Sequence, residues 1–221
     1  MLLYNKERVS TESLFCQLKR LHVKNDIGKL KQKVKKYVVL ELPQIKNLEN
    51  IFNNLFQFSE RTVLISGGEE PIYIPASETN CVNTIISTKD YFSSALHEIS
   101  HWCVAGTERR ALEDYGYWYE PDGRTEDQQR LFEKAEIKPQ ALEWLFTAAA
   151  GQKFRLSIDN VNQPEMQASD DFRQSVYLQT LCYLEKGLSD RPQRFMDALL
   201  RHFQPDESSL QAKDFKLELL K

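Results

Sequence analysis

Apolar residues between positions 91 and 105 recur with the period of an α-helix. At about 100° per residue from Tyr91, one broad arc collects Phe92, Ala95, Leu96, Ile99, Trp102 and Cys103. His97 and His101 lie nearly opposite this arc, where a solvated face would normally carry Lys, Arg or Asp. The pattern predicts an amphipathic helix from about residue 90 to residue 105, with Gly106 as its C-cap.

Shorter patterns before this helix predict one further helix and three strands. Residues 48–58 have helical periodicity, and the strands are expected at residues 61–66, 71–75 and 83–88. The first strand ends at Gly67-Gly68. Prolines bracket the second strand, which places it at an edge of the sheet.

Helical patterns dominate the second half of the chain. Three segments are each opened by capping residues: Thr125 with Gln128 for a segment to Gly151, Asp171 for residues 172–184, and Ser189 with Asp190 for residues 191–203. A small mixed sheet combined with several helices is an α+β fold.

Charge divides the chain into two unlike parts. Residues 1–40 hold ten Lys and Arg against three acids, whereas the remainder holds nineteen against twenty-nine, within 221 residues of net charge −3. We therefore expect a basic N-terminal extension over residues 1–42, a metal-binding domain over 43–205 and a C-terminal tail over 206–221. The acidic body argues against nucleic acid as a partner, although the basic extension permits it.

Cysteine spacing and hydropathy predict a soluble, cytoplasmic protein. No apolar run approaches the roughly 18 residues of a membrane span, and no signal peptide follows the N-terminus. Cys16, Cys81, Cys103 and Cys182 form no C-x-x-C pair. They are expected to be reduced thiols in a reducing compartment.

The segment His97-Glu98-Ile99-Ser100-His101 indicates a metal site. Residues four apart share one face of a helix, so both imidazoles can reach one divalent ion. Val104 and Thr107 exclude the elongated three-histidine zinc protease pattern, and the other histidines lie far away in sequence. A carboxylate is therefore the expected third ligand, a set that suits either zinc hydrolysis or non-haem Fe(II) oxygen chemistry.

Three glutamates of the segment opened by Thr125 compete to be that ligand. The apolar arc expected there comprises Leu131, Ala135, Leu142, Leu145, Phe146 and Ala149. It places Glu133 on the solvated side, and Glu136 and Glu143 on the border of the arc. Pro139 is expected to kink or restart the helix between the latter two. Glu136, just before that break, is our assignment, with Glu143 as the alternative.

The residues between the metal helix and Thr125 are unusually aromatic for a loop. Tyr115, Tyr117, Trp118 and Tyr119 could form a wall that grips the aliphatic stem or cationic end of a substrate. Equally, they could pack the loop onto the domain.

Several longer runs resemble the bacterial elongation factor P hydroxylase family. These runs cover residues 68–76, 95–106, 114–119 and 136–146, and the resemblance spans about residues 44 to 205. It implies hydroxylation of the β-lysylated lysine of elongation factor P, at a two-His, one-carboxylate iron site. It also implies a fold similar to the metal-dependent endoribonuclease of bacterial rRNA maturation. The run that begins at Glu136 favours this residue as the third ligand, while residues 1–40 depart from the family pattern.

The implied cofactor is Fe(II), although a purified sample can carry another divalent metal. Three protein ligands on one side of the ion leave positions open for O₂ and co-substrate. Glu98 is a candidate catalytic residue: in hydrolases with this motif it is the general base, and in an oxygenase it could orient a ligand or attract a cationic substrate. A zinc-dependent peptidase or other hydrolase, and a metal-dependent ribonuclease, remain the alternative functions.

Overall fold

The computed structural model describes residues 44–114, 124–158, 168–207 and 209–220. The expected basic extension and the aromatic residues Tyr115, Tyr117, Trp118 and Tyr119 lie outside these residues.

Three short strands form a mixed sheet with the last strand at its centre. Strands β1 (Thr62–Gly68), β2 (Ile72–Ile74) and β3 (Asn83–Thr88) lie in the order β1-β3-β2. β1 pairs with β3 in parallel, and β2 pairs with β3 in antiparallel. The predicted small mixed sheet and the edge position of β2 are confirmed. β1 extends beyond residue 66, because Gly67 at φ 99° and a register shift before Gly68 bend the strand instead of ending it.

Five α-helices complete the α+β fold within the described residues. Helix α1 covers residues 44–56, so it begins and ends earlier than the predicted 48–58, and Phe58 beyond its end is 88% exposed among the described residues. The other four are α2 (Phe92–Val104), α3 (Glu126–Ala149), α4 (Asp170–Lys186) and α5 (Asp190–Phe203). None of the helices in the described part of the chain is long and apolar enough to cross a bilayer.

An aromatic cluster fixes α2 against α1 and α5. The ring of Trp102 lies 5.2 Å from Phe52 and 4.9 Å from Phe56, and Phe195 of α5 lies 5.9 Å from Phe52. All four side chains are at most 3% exposed. Tilted and edge-on ring contacts of this kind favour one arrangement over others. The helix that carries the histidines is therefore held rigidly.

The apolar face predicted for α2 is buried as expected, but its C-terminus differs from the prediction. The C-cap is Ala105 in extended conformation, and Gly106 has no positive φ. Instead, the guanidinium of Arg191 donates to the carbonyls of Ala105 (2.8 Å) and Cys103 (3.4 Å). A cation at this position satisfies the last carbonyls and the negative end of the helix.

Helix α3 confirms the Thr125 capping box but not the predicted orientation of its first half. The Thr125 hydroxyl accepts from Gln128 N, and the Gln128 side chain accepts from Thr125 N. Leu131 is 51% exposed, whereas Phe132 and Glu133 face inward. The expectation that Glu133 is solvated is therefore wrong. The buried face mixes polar with apolar residues, so a pattern of apolar residues alone misplaced it.

Pro139 does not restart α3, which is continuous from Glu126 to Ala149. The helix lies between α2 and α4, so tertiary packing holds it together where proline removes one backbone hydrogen bond.

Helix α4 begins at Asp170, and its N-cap is Ser169 instead of the predicted Asp171. The Ser169 hydroxyl accepts from Phe172 N at 3.0 Å.

Residues 209–220 pack back onto the helices through two short 3-10 turns, Ala212–Asp214 and Leu217–Leu219. Phe215 and Leu220 are buried, and the ring of Phe215 lies 5.1 Å from Trp144 of α3. The second half of α3 is consequently enclosed on several sides.

Candidate metal centre

Two histidines on α2 present the same ring nitrogen to one point. His97 is 4% exposed, and the side chain of His101 is 27% exposed. Their Nε2 atoms lie 3.0 Å apart, one helical turn along the same face. Because the opposite face of α2 is locked in the core, the pair cannot turn away from this point.

Helix α3 adds a carboxylate to the histidine pair. Glu136 Oε1 lies 3.2 Å from His101 Nε2, and Glu136 Oε2 lies 3.8 Å from His97 Nε2. The amide of Gln140 donates to Glu136 Oε2 at 3.2 Å, and Gln140 is itself held by both backbone groups of Ser157. The carboxylate is therefore oriented toward the imidazoles by a fixed neighbour.

These three side chains satisfy a simple distance test for a shared ion. Two ligand atoms each about 2.1 Å from one metal can be at most about 4.2 Å apart. Each pair among His97, His101 and Glu136 has atoms closer than this limit. Two imidazoles and one carboxylate that converge in this way can hold a divalent metal ion.

Glu143 contacts the other side of the His97 ring. Its Oε2 lies 2.8 Å from His97 Nδ1, and its side chain is 1% exposed. With Nδ1 donating to this carboxylate, the lone pair of Nε2 is available at the point shared with His101 and Glu136. Glu143 thus contacts the nitrogen of His97 that does not face the point shared with His101 and Glu136.

The electrostatics of the cluster favour positive charge at the histidines. Burial lowers the pKa of His97, but Glu143, Glu136 and Glu98 outweigh this effect and raise it to about 10. Burial raises the pKa of Glu136, but His101, His97 and the Gln140 hydrogen bond bring it down to about 2. The carboxylates and the imidazoles of the cluster therefore stabilise each other's charged forms.

A cleft open to solvent adjoins His101. Its lining includes Glu98, Tyr73, Ile85 and Trp102. Glu98, 8% exposed, is on the helix side of this cleft. Burial raises the pKa of Glu98, and the positive charge of His97 and His101 opposes that rise.

The structure thus assembles most, but not all, of the candidates from the sequence. His97, His101 and Glu136 converge, and Glu98 lies beside them. Glu133 is buried elsewhere, where it accepts from the backbone and hydroxyl of Ser169. Sequence reasoning did not foresee the contact of Glu143 with His97. A spacing of seven residues, two turns of α3, was the available signal that Glu136 and Glu143 share a face.

Comparison with known proteins finds one matching family and a close relative. The model of the family described as "Elongation factor P hydroxylase" matches residues 51–215. A protein of Haemophilus influenzae named "Elongation factor P lysine hydroxylase" is 46% identical over 170 residues, which cover 77% of this chain and 95% of the relative.

Proposed function

The chain belongs to the elongation factor P hydroxylase family, and we propose from this membership that it is an enzyme that hydroxylates a lysine of elongation factor P. The observation that carries the proposal is the convergence of His97, His101 and Glu136 beside an open cleft. The substrate we propose is the β-lysylated form of the factor, and the reaction belongs to the cytoplasm, where translation takes place.

The proposed cofactor is Fe(II), held by His97, His101 and Glu136. The donor set of two imidazoles and one carboxylate fits this metal, and it leaves coordination positions free. When bound, iron supplies the redox chemistry with dioxygen that insertion of one oxygen atom into a C–H bond requires. Glu143 orients His97 through Nδ1, and Gln140 holds Glu136.

We propose that residues 43–205 form the hydroxylase domain. We also propose that the substrate is bound by four aromatic side chains, those of Tyr115, Tyr117, Trp118 and Tyr119. These four aromatic residues directly follow Asp114, which lines the cleft. Their rings suit the aliphatic and cationic parts of a modified lysine. Family membership favours this function over a zinc hydrolase or a ribonuclease.

Intact-mass measurement of elongation factor P tests the function directly. Factor from cells that carry the gene is expected to be heavier by one oxygen atom than factor from cells that lack it. Equal masses would refute the hydroxylase proposal.

A pair of variants tests the ligand set. Glu136→Gln is expected to lose most of the bound iron and activity while the fold is retained, because it removes the charged ligand. Glu133→Gln, the matched control, is on the same helix and bonded to Ser169, so it should keep both. If the Glu136 variant kept full metal occupancy and Glu143→Gln lost it, the third ligand would be Glu143.

A further inference from the structure

One buried carboxylate oxygen beside the cleft makes no hydrogen bond. Oε1 of Glu98 is enclosed, yet it has no partner among the described residues. Nearby, Glu136 is bonded to Gln140, and Glu143 contacts His97. A buried polar atom without a partner costs free energy, so folded proteins rarely keep one unless a ligand supplies the partner.

The two arginines that line the cleft each form an ion pair with a carboxylate other than Glu98. The guanidinium of Arg109 lies 2.5 Å from the carboxylate of Asp114, and that of Arg110 lies 3.1 Å from Glu60. Neither arginine is therefore the missing partner of Glu98. The hydrogen-bond donor that satisfies this oxygen therefore has to come from outside the described residues.

The walls of the cleft are suited to a carbon chain. Tyr73, Ile85, Trp102 and Ala105 line it together with His101. Glu98 is located three residues before His101, about one turn along α2. The cleft thus has apolar lining residues, a carboxylate with an unsatisfied oxygen and a proposed metal ligand.

We propose that Glu98 binds the side-chain ammonium group of the lysine-type substrate. An aliphatic stem that ends in a primary amine would pack against the apolar walls and donate to Glu98. The carbon chain of the substrate would then lie next to the metal ligands. Glu98 is then a substrate-binding residue that needs no proton transfer of its own. This inference rests on the proposed function, since that function supplies a substrate with such an amine.

Binding measurements with a double substitution test this assignment. The metal-loaded holoenzyme is titrated, without oxygen so that no turnover occurs, with β-lysylated elongation factor P and with factor whose target lysine is replaced by methionine. Glu98→Gln should weaken binding of the lysine form roughly tenfold or more, as expected for loss of charge from a buried ionic hydrogen bond. It should leave binding of the methionine form unchanged, because the two substitutions remove the same contact.

Glu113→Gln is the matched control, because it removes the same charge from an exposed residue next to Asp114. It should leave both affinities unchanged. Equal weakening of the two factor forms by Glu98→Gln, or by both variants alike, would overturn the inference. So would a wild-type enzyme that binds the methionine form as tightly as the lysine form.

Carbodiimide cross-linking of the wild-type complex supplies a measurement that needs no variant. The reagent joins a carboxylate to an adjacent amine with loss of water, and peptide mass spectrometry locates the amide. A link between Glu98 and the target amine is expected, and its absence contradicts the inference. Failure of the proposed function is distinguishable, because wild-type enzyme then leaves the mass of the factor unchanged whatever Glu98 does.

Discussion

Removal of the Glu143 carboxylate should weaken metal binding although Glu143 is not a proposed ligand. Its Oε2 contacts His97 Nδ1 at 2.8 Å, and the side chain is 1% exposed. This contact fixes both the ring orientation and the tautomer that presents Nε2 to a metal. Substitution of such a partner typically costs roughly 10–100-fold in metal affinity.

Two substitutions of Glu143 should weaken metal binding by different amounts within this range of roughly 10–100-fold. Glu143→Gln keeps an oxygen acceptor of the same size but removes the charge, so it should weaken binding about tenfold, or about 1.4 kcal/mol. Glu143→Leu leaves the Nδ1 group of His97 without this buried acceptor, so it should weaken binding about 100-fold, or about 2.8 kcal/mol.

Competition against a coloured chelator measures the dissociation constant, with Fe(II) under anaerobic conditions and Co(II) as a stable substitute. Thermal unfolding of the metal-free variants shows whether each one is folded. Glu133→Gln is the control: Glu133 is also buried on α3 but bonded to Ser169, so the metal affinity of this variant should equal that of the wild type. Wild-type affinity in folded Glu143→Gln and Glu143→Leu would refute the orienting role.

Two further predictions concern ionisation away from the metal centre. Burial raises the pKa of Glu49, but hydrogen bonds from Lys46 and Ser66 outweigh this and lower it below the ordinary 4.5. Glu49→Gln should therefore lower the free energy of unfolding by about 1 kcal/mol at pH 7. Denaturant titrations should show this difference from the wild type shrinking as the pH falls below 4.5, because the carboxylate of the wild type is then protonated. A difference that does not depend on pH would contradict this prediction. Burial raises the pKa of Cys103 to about 12, whereas Cys81 is exposed. Iodoacetamide at pH 8 should modify Cys81 and spare Cys103 until denaturant is added, as peptide mass spectrometry would show, and equal rates would contradict the burial of Cys103.

The sequence predicted correctly those features that depend only on residues close together in the chain. The apolar arc of α2 was predicted residue by residue, because an amphipathic helix has the same period wherever it packs. The capping box at Thr125 was also predicted, since its hydrogen bonds join residues three apart. Cys81, Cys103 and Cys182 are free cysteines in the described part of the chain, whereas Cys16 lies outside it.

The orientation of the first half of α3 depended on distant residues. Glu133 is buried because Ser169, 36 residues later, satisfies both of its oxygens. Leu131, in contrast, is 51% exposed among the described residues. The periodicity of apolar residues does not show whether a polar side chain is buried against a hydrogen-bond partner from another helix.

The sequence by itself determined that His97 and His101 would share one face, because residues four apart do so on any helix. It could not decide between Glu136 and Glu143, which lie two turns apart on the same face of α3. Only the packing of α3 against α2 places Glu136 at the Nε2 atoms and Glu143 at Nδ1. That choice depends on where two helices cross, and the crossing is set by side chains throughout the core.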